Sequence, residues 1–395
     1  MSPDSIGLEE TWRWFGPKDP ITLPFIRQTG ASGIVTALHE IPIGEVWSLE
    51  DIQERKQTIE KHGLKWSVVE SLPIHEDIKT HNGSFREYIE NYKISIQNLA
   101  GADVRTICYN VMPVLDWTRT QLDHLVQDGS GALRFDWASL CAFDLFILER
   151  KHAEQDYGKE VITIAKGWFQ KSTLQEKEAL IQTMLAGLPG SDQGFNLDHF
   201  KNALARYQQI DPSTYLEHLK YFLDQVVPVA EENNVKLCVH PDDPPFNILG
   251  LPRVIRNGAQ VGQYLDLYPS SNHGFTLCTG SLGADPENNV VSITEEHKDR
   301  IHFVHLRNVT SYDFQSFYED NHLEGSVDMA GVVRILLDLA EERKILLPFR
   351  PDHGHTLAKE CEPSSYPGYP LIGRMRGLAE LRGLILGLKS QKNLK

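Results

Sequence analysis

Eight short runs of β-forming residues, each followed by a helix-like pattern, limit the fold of this chain more than any other feature. The predicted strands are residues 11–15, 33–37, 67–71, 106–109, 235–240, 275–279, 302–306 and 345–350. Their largely continuous apolar character is typical of strands buried on both faces. Eight βα units in succession favour a closed parallel (β/α)8 TIM barrel, an α/β fold, over an open sheet.

Helix-like patterns lie between the strands and after the last one. Beside the clearest one, described next, predicted helices cover residues 84–99, 212–233, 327–342 and about 372–388. The clearest is predicted within SLEDIQERKQTIEKHG, where Ser48 and Asp51 form an N-terminal capping pattern and Gly63 marks the end. We therefore predict a single barrel domain over residues 1–395.

The interval between the fourth and fifth strands is much longer than the others. Its central part, residues 117–211, is charged, aromatic and helix-prone. We interpret it as a helical insertion in the loop after strand four, which in a barrel opens onto the active-site face. A lid or a contact surface in a homo-oligomer, such as a dimer, is expected there in preference to an independent domain.

The composition disfavours several classes of protein. The formal net charge is −15, whereas phosphate binding needs a basic surface, so no nucleic-acid partner is expected. No run approaches the roughly 18 apolar residues of a membrane span. The start, MSPDSIGLEETWRWFG, lacks the pattern of a secretory signal, and the five cysteines show no CxxC spacing. We therefore expect a cytoplasmic protein without a disulfide framework.

Four potential metal ligands stand at the ends of the last four predicted strands. They are His240, Cys278, His305 and Asp352. Each alone has an ordinary explanation as a hydrogen-bonded histidine, a small buried side chain or a turn cap. In a barrel, however, the carboxyl ends of consecutive strands converge on one mouth, so the four together predict a site for a divalent metal ion.

The ligand types restrict the metal without defining it. A thiolate favours zinc, iron(II) or cobalt, and a carboxylate tolerates manganese. Four protein ligands would complete a tetrahedral structural zinc site. We favour an ion with open positions for substrate, because other strand ends carry polar groups that a structural site does not need.

These polar groups predict a charged pocket suited to a polyhydroxylated acid. Any one of them could be structural instead, since salt-bridged residues are common at a barrel rim. Two of them are arginines that could clamp a carboxylate. The candidate substrate-binding residues are His39, Asn110, Asp116, Arg119, Arg307 and Asn308.

Several longer motifs resemble the mannonate dehydratase family over nearly the whole chain. They are WRWFGPKDP, TALHEIPIGEVW, YNVMPVLDWTRT, HPDDPP, LCTGSLG, HLRN, RPDHGH and GYPLIGRMRGLAELRGL. The resemblance implies a barrel similar to the xylose isomerases. It also implies dehydration of D-mannonate to 2-dehydro-3-deoxy-D-gluconate with Mn²⁺ or Fe²⁺ in glucuronate breakdown.

Carried over motif by motif, the resemblance places the family's metal ligands on the four residues already proposed. It places catalytic residues at His353 and at Tyr369, with Tyr366 as the alternative to the latter. Which of the histidine and the tyrosine acts as acid or as base stays open. The nearest rival is a metal-dependent sugar isomerase on the same barrel, which a cysteine ligand disfavours. A barrel endonuclease and a metal-stabilised binding protein are further alternatives.

Overall fold

The computed structural model describes residues 6–187, 196–359, 361–363 and 365–392. It contains twelve strands within these ranges. They are β1 (Gly7–Arg13), β2 (Gly33–Thr36), β3 (Lys65–Glu70), β4 (Thr106–Asn110), β5 (Gln121–Leu125), β6 (Gly131–Phe135), β7 (Lys236–His240), β8 (His273–Cys278), β9 (Ile301–His305), β10 (Asn308–Tyr312), β11 (Ser316–Asp320) and β12 (Leu346–Arg350).

Eight of the strands form a closed parallel barrel, which confirms the predicted fold class. The order around the barrel is β1-β12-β9-β8-β7-β4-β3-β2. The ring closes where β1 pairs with β12, with Gly7 opposite Leu346. All eight carboxyl ends therefore meet at one mouth.

The α-helices lie between and after the strands. They are α1 (Leu23–Gln28), α2 (Leu49–Glu60), α3 (Glu76–Thr80), α4 (Phe85–Gly101), α5 (Trp137–Ala142), α6 (Lys159–Lys171), α7 (Leu174–Leu185), α8 (Leu197–Ala205), α9 (Pro212–Glu232), α10 (Gly258–Asp266), α11 (Thr279–Gly283), α12 (Val290–His297), α13 (Met329–Arg343) and α14 (Leu371–Lys392). A π-helical turn (Phe143–Ile147) and two 3-10 turns (Ala153–Asp156 and Lys298–Arg300) complete the helical structure that is described. As predicted, the Ser48 side chain caps α2 by accepting from the Asp51 N–H.

An apolar layer fills the inside of the barrel below its mouth. It consists of Val35, Val68, Cys108, Cys238 and Phe303, all fully buried. The residues next to them along each strand pack instead in the larger core beneath the outer helices. This alternation follows from the two-residue period of a strand and leaves the barrel without a central pore.

The insertion after β4 is helical only in its later part, and in this respect the prediction was incomplete. It begins with the hairpin β5–β6, which joins β10 and β11 in an antiparallel sheet of order β10-β11-β6-β5. Phe135 of β6 pairs with Phe317 of β11, and their rings stack 5.5 Å apart. The hairpin's partner strand β11 lies 182 positions further along the chain (Phe135 to Phe317), so local sequence patterns do not reveal the sheet.

The predicted strand boundaries differ from the structure by up to four residues, and two of the differences matter at the mouth of the barrel. The first strand ends at Arg13 and not at residue 15, because the Phe15 N–H turns to the Asp19 carboxylate 2.8 Å away. The sixth ends at Cys278, and Thr279 opens the short helix α11. Both changes move polar or aromatic side chains from the barrel wall to its rim.

Over the ranges that the structure describes, no helix combines the length and the apolar character needed to cross a membrane.

Candidate active site

Polar side chains form the next layer of the barrel interior, directly above the apolar one. Glu70, Asn110, His240 and His305 each stand two residues beyond a member of the apolar layer, on β3, β4, β7 and β9. Because side chains alternate along a strand, these four point into the same interior. The two-residue period of the strands thus places carboxylate, amide and imidazole groups at the mouth of the barrel.

Three side chains of this region form a group that could hold a metal ion. Ligand atoms of His240, Cys278 and His305 all lie within 4.8 Å of one another, and all three residues are buried. His240 Nε2 is 3.2 Å from His305 Nδ1. Cys278 lies beside His305 in the register of β8 and β9. Two nitrogens and a sulfur therefore converge from three adjacent strands.

The spacing and the outer contacts of these residues fit a bound ion. Ligands about 2.0–2.3 Å from one ion lie about 3.3–3.8 Å apart in tetrahedral geometry, close to the separation of the two imidazole nitrogens. The second nitrogen of each ring already faces an oxygen. His240 Nδ1 is 2.7 Å from the Pro241 carbonyl, and His305 Nε2 is 3.2 Å from Glu70 Oε1. Such outer partners orient ligating histidines in metal sites.

The electrostatics keep the sulfur in the form that binds metals. Burial raises the pKa of Cys278, but the charge of Arg307 and contacts with His240 and His305 bring that pKa well below its usual value. Burial lowers the pKa of His240, whereas its hydrogen bond with Cys278 raises it, and the result is about 10. The group therefore carries a thiolate, which is the nucleophilic and metal-binding form of cysteine.

Asp352, the fourth predicted ligand, lies beside the group of three. Its Oδ2 is 3.6 Å from His305 Nδ1 and 4.0 Å from Cys278 Sγ. The same carboxylate pairs with two guanidiniums, contacting Arg350 and lying 2.7 Å from Arg307 Nε. Burial opposes its ionisation, yet these cations, with Arg350 foremost, hold its pKa well below the usual value. It is thus an ionised carboxylate at the edge of the donor group.

A cavity of about 200 Å³ opens beside the donor group and is lined by His240 and Asp352 of the four predicted ligands. Both predicted catalytic residues line it, with the rings of His353 and Tyr369 edge to face at 5.0 Å. Tyr366 is 38% exposed and packs on Phe15, so the structure favours Tyr369 as the cavity tyrosine. Of the predicted substrate-binding residues, Asn110 and Asp116 line the cavity.

The surroundings of His353 and Tyr369 give the two side chains different chemistry. His353 Nδ1 lies 3.0 Å from Glu319 Oε1, and a proton shared there leaves the lone pair on Nε2. Burial and the charge of Asp352 raise the pKa of Tyr369 to about 12. The imidazole therefore has a carboxylate behind one of its nitrogens, whereas the phenol keeps its proton.

Arg119 and Arg307 were predicted to clamp a substrate carboxylate, and the structure gives them other partners. Both are fully buried, and neither is among the residues that line the cavity. Arg119 binds Asp243 at 2.7 Å and Glu319 at 2.5 Å, and Arg307 binds the same two carboxylates at 2.5 and 2.6 Å. These ion pairs hold the Glu319 that contacts His353. The two arginines thus support the site from behind.

Two further predicted residues also lie outside the cavity lining. The Asn308 amide, which is buried, donates to the carbonyls of His322 and Val327 at 3.3 and 3.1 Å. His39 is exposed and stacks on Phe15 with a centroid distance of 6.0 Å. Asn308 therefore fixes a loop, and His39 belongs to the outer rim.

Sequence reasoning missed several charged residues of the site, among them Arg13, Arg350 and Glu319. Arg13 and Arg350 end β1 and β12, line the cavity and could have been found by the strand-end rule applied to every strand. Glu319 lies on β11, outside the barrel, and reaches His353 only because the added sheet folds over the mouth. No strand-end signal marks it.

Comparison with known proteins assigns this chain to a family. The model of the D-mannonate dehydratase (UxuA) family matches residues 8–395. A mannonate dehydratase of Marinomonas sp. (strain MWYL1) is 51% identical over 391 residues, covering 97% of this chain and 100% of the relative. One from Chromohalobacter salexigens is 48% identical, covering 97% and 99%.

A solved structure agrees with these sequence matches. The crystal structure of mannonate dehydratase from Streptococcus suis serotype 2 aligns with a TM-score of 0.78 at 35% identity, covering 98% of this chain and 96% of the other. Fold, sequence and the full-length family match point the same way, and the chain belongs to the D-mannonate dehydratase family.

Proposed function

We propose that this chain is a hydro-lyase that converts D-mannonate to 2-dehydro-3-deoxy-D-gluconate and water. The observation that carries the proposal is the meeting of a metal-binding donor group with His353 and Tyr369 around one cavity, in a chain of the mannonate dehydratase family. The reaction removes a proton from C2 and a hydroxyl from C3. The resulting enol then becomes the 2-keto acid, so the atoms balance with release of one water.

His353 takes the C2 proton in this proposal. Its Nδ1 faces Glu319, so Nε2 carries the lone pair, and its ring lies in the cavity wall. A carboxylate behind an imidazole fixes the ring orientation and stabilises the imidazolium that forms. Arg119 and Arg307 hold Glu319 in place for this task.

Tyr369 donates the proton that lets the C3 hydroxyl leave as water. Its pKa of about 12, set by burial and by Asp352, keeps the phenol protonated at neutral pH. The cation of Arg350 lies 5.8 Å from its ring centroid and restrains the ring. Edge-to-face packing on His353 places acid and base side by side at the cavity wall.

The proposed metal ligands are His240, Cys278, His305 and Asp352. A divalent ion held there supplies Lewis acidity that stabilises negative charge developing on substrate oxygens. The mixed nitrogen, sulfur and oxygen donors suit Fe²⁺, and the carboxylate tolerates Mn²⁺. We further propose a cytoplasmic enzyme of glucuronate breakdown, with self-association through the 117–211 insertion.

The direct test is product formation by metal-reconstituted protein. Purified chain is stripped with a chelator, reloaded with Mn²⁺ or Fe²⁺ and incubated separately with D-mannonate, other aldonates and D-mannose. We expect D-mannonate to give the 2-keto-3-deoxy acid only after the protein has been reloaded with metal. Ketose formation from D-mannose without keto acid from any aldonate would favour the sugar isomerase instead, an alternative that family membership opposes.

A further inference from the structure

One arginine in the cavity wall, Arg13, has no hydrogen-bonding partner for its guanidinium within the described part of the chain. Arg13 ends β1 and lines the cavity, and only 12% of its side chain is exposed. Within the described part of the chain its guanidinium makes no hydrogen bond, and Nη1 is fully buried. A buried guanidinium with free N–H groups is costly unless something polar binds it.

The other lining guanidinium, Arg350, is in a different state. It donates to Glu70 Oε1 at 2.9 Å and contacts Asp352 through its second terminal nitrogen. Both of its carboxylate partners belong to the barrel mouth. Both terminal nitrogens of Arg350 are therefore bound by carboxylates, whereas Arg13 has only a 3.6 Å ion pair with Glu70.

Glu70, the acid nearest to Arg13, does not satisfy it. Glu70 Oε2 lies 3.6 Å from Arg13 Nη1, which is beyond a hydrogen bond. The other oxygen of this carboxylate is occupied by Arg350 and faces His305 at 3.2 Å. The Arg13 guanidinium rests over the Phe15 ring, 4.9 Å from its centroid, which fixes its position without using its N–H groups.

The charge of the cavity makes such a free cation useful. Four carboxylates line it, those of Glu70, Asp116, Asp243 and Asp352. An anionic ligand entering this cavity needs cationic N–H groups that the acids do not already bind. Arg13 lines the cavity together with His240 and Asp352 of the proposed metal ligands.

We propose that Arg13 binds the carboxylate of the substrate and so selects sugar acids over neutral sugar derivatives. The planar guanidinium matches a carboxylate with two parallel hydrogen bonds, which an ammonium group does not. This inference rests on the proposed dehydration of an aldonate. It assigns substrate selectivity to a residue outside the metal-binding group.

The test compares Arg13→Met with the parent enzyme, using D-mannonate and its neutral amide, D-mannonamide. Loss of a hydrogen-bonded charge partner predicts a KM for D-mannonate about 10- to 100-fold higher. The inhibition constant of the amide should stay unchanged, so the preference for the acid falls by the same factor. Arg27→Met, at an exposed arginine of α1, is the matched control and should keep the parent KM.

Metal content and melting temperature are measured for each variant. If Arg13→Met does not fold, Arg13→Lys replaces it and should give an intermediate KM, because it keeps the charge and loses the two-point contact. An unchanged KM for D-mannonate, or equal weakening of acid and amide, would overturn the role of Arg13. Absence of keto acid from the parent enzyme would instead remove the proposed function, so the two failures are separable.

Discussion

Cys278 is the side chain that most distinguishes the donor group, since it adds a sulfur to two imidazoles. Its neighbours keep it as a thiolate, and Ser281 Oγ lies 3.1 Å from the sulfur. Replacing a ligand removes one bond to the ion and should cost more than losing an outer partner, which typically weakens metal affinity about 10- to 100-fold.

We therefore predict that Cys278→Ser binds Mn²⁺ or Fe²⁺ at least about 100-fold more weakly and has lost most of its activity. Metal affinity is measured by titration calorimetry and metal content by elemental analysis. Cys361→Ser is the control, because Cys361 is exposed and lies outside the donor group. Undiminished metal affinity in Cys278→Ser would remove the sulfur from the site.

His353→Asn and Tyr369→Phe test the acid and base roles. We expect kcat to fall about 10²- to 10⁴-fold in each, with metal content kept, because each loses a proton-transfer group and no metal ligand. Tyr366→Phe should keep the parent activity, since Tyr366 packs on Phe15 at the rim. Full activity of either of the first two variants with bound metal would exclude that residue from the mechanism.

Strand ends predicted which side chains come together where one strand positions one residue. His240, Cys278 and His305 meet because three adjacent strands end at the same height. The roles of Arg119 and Arg307 could not be predicted this way. Their ion pairs join chain segments that sequence alone does not bring together, such as β11 and the loop after β7.

The four-stranded sheet partly covers the rim of the barrel, and the cavity lies beneath this cover. Glu319 of β11 reaches His353, and Trp117, at the start of the insertion, lines the cavity. The buried face of the sheet includes Phe317, which stacks on Phe135 and lies under the guanidinium of Arg119. The sheet therefore links the insertion to His353, the proposed base.

Phe317→Ala should loosen this sheet while the barrel stays folded. Truncating a fully buried phenylalanine costs about 3–5 kcal/mol, and here the loss falls on an element outside the barrel. We expect faster hydrogen exchange in β5, β6, β10 and β11, with barrel strands unchanged, and a lower kcat. Phe314→Ala, at the exposed turn between β10 and β11, is the control and should exchange like the parent.

The barrel elements were predictable because each is a local pattern, an apolar run or a capped helix such as α2. The β5–β6 hairpin was not, because β6 pairs with the distant β11, while β5 forms the sheet edge and pairs with β6. In β5 the exposed Leu125 and the charged Asp123 give no clear alternation. Pairing between distant segments decides such elements.

At the scale of the whole molecule, a buried charge network ties the barrel, the insertion and the added sheet together. Asp243, in the loop after β7, lies between Arg119 and Arg307. Burial raises its pKa, but the two guanidiniums outweigh this and lower it to about 2. Because the folded pKa lies below the ordinary value of 3.8, ionised Asp243 stabilises the fold above the unfolded pKa, and this stabilisation is lost as the pH falls through about 2.

The Asp243→Asn substitution should therefore make the free energy of unfolding depend less on pH below neutrality. Between about pH 6 and about pH 3, the parent should lose about 1 kcal/mol more unfolding free energy than the variant. The variant is also less stable at neutral pH, because two buried cations lose a partner. Urea unfolding at several pH values measures both effects, with the exposed Asp198→Asn as control. Parallel pH profiles for parent and Asp243→Asn would contradict the assigned shift.

The claim on which the account depends is that one ion is bound by residues from four consecutive barrel strands and the segments that follow them. Crystals of the protein with Mn²⁺, measured at the manganese absorption edge, test it directly. The account predicts one anomalous peak about 2.0–2.4 Å from His240 Nε2, Cys278 Sγ, His305 Nδ1 and a carboxylate oxygen of Asp352. A saturated crystal with no peak there, or with the ion bound elsewhere, would contradict it.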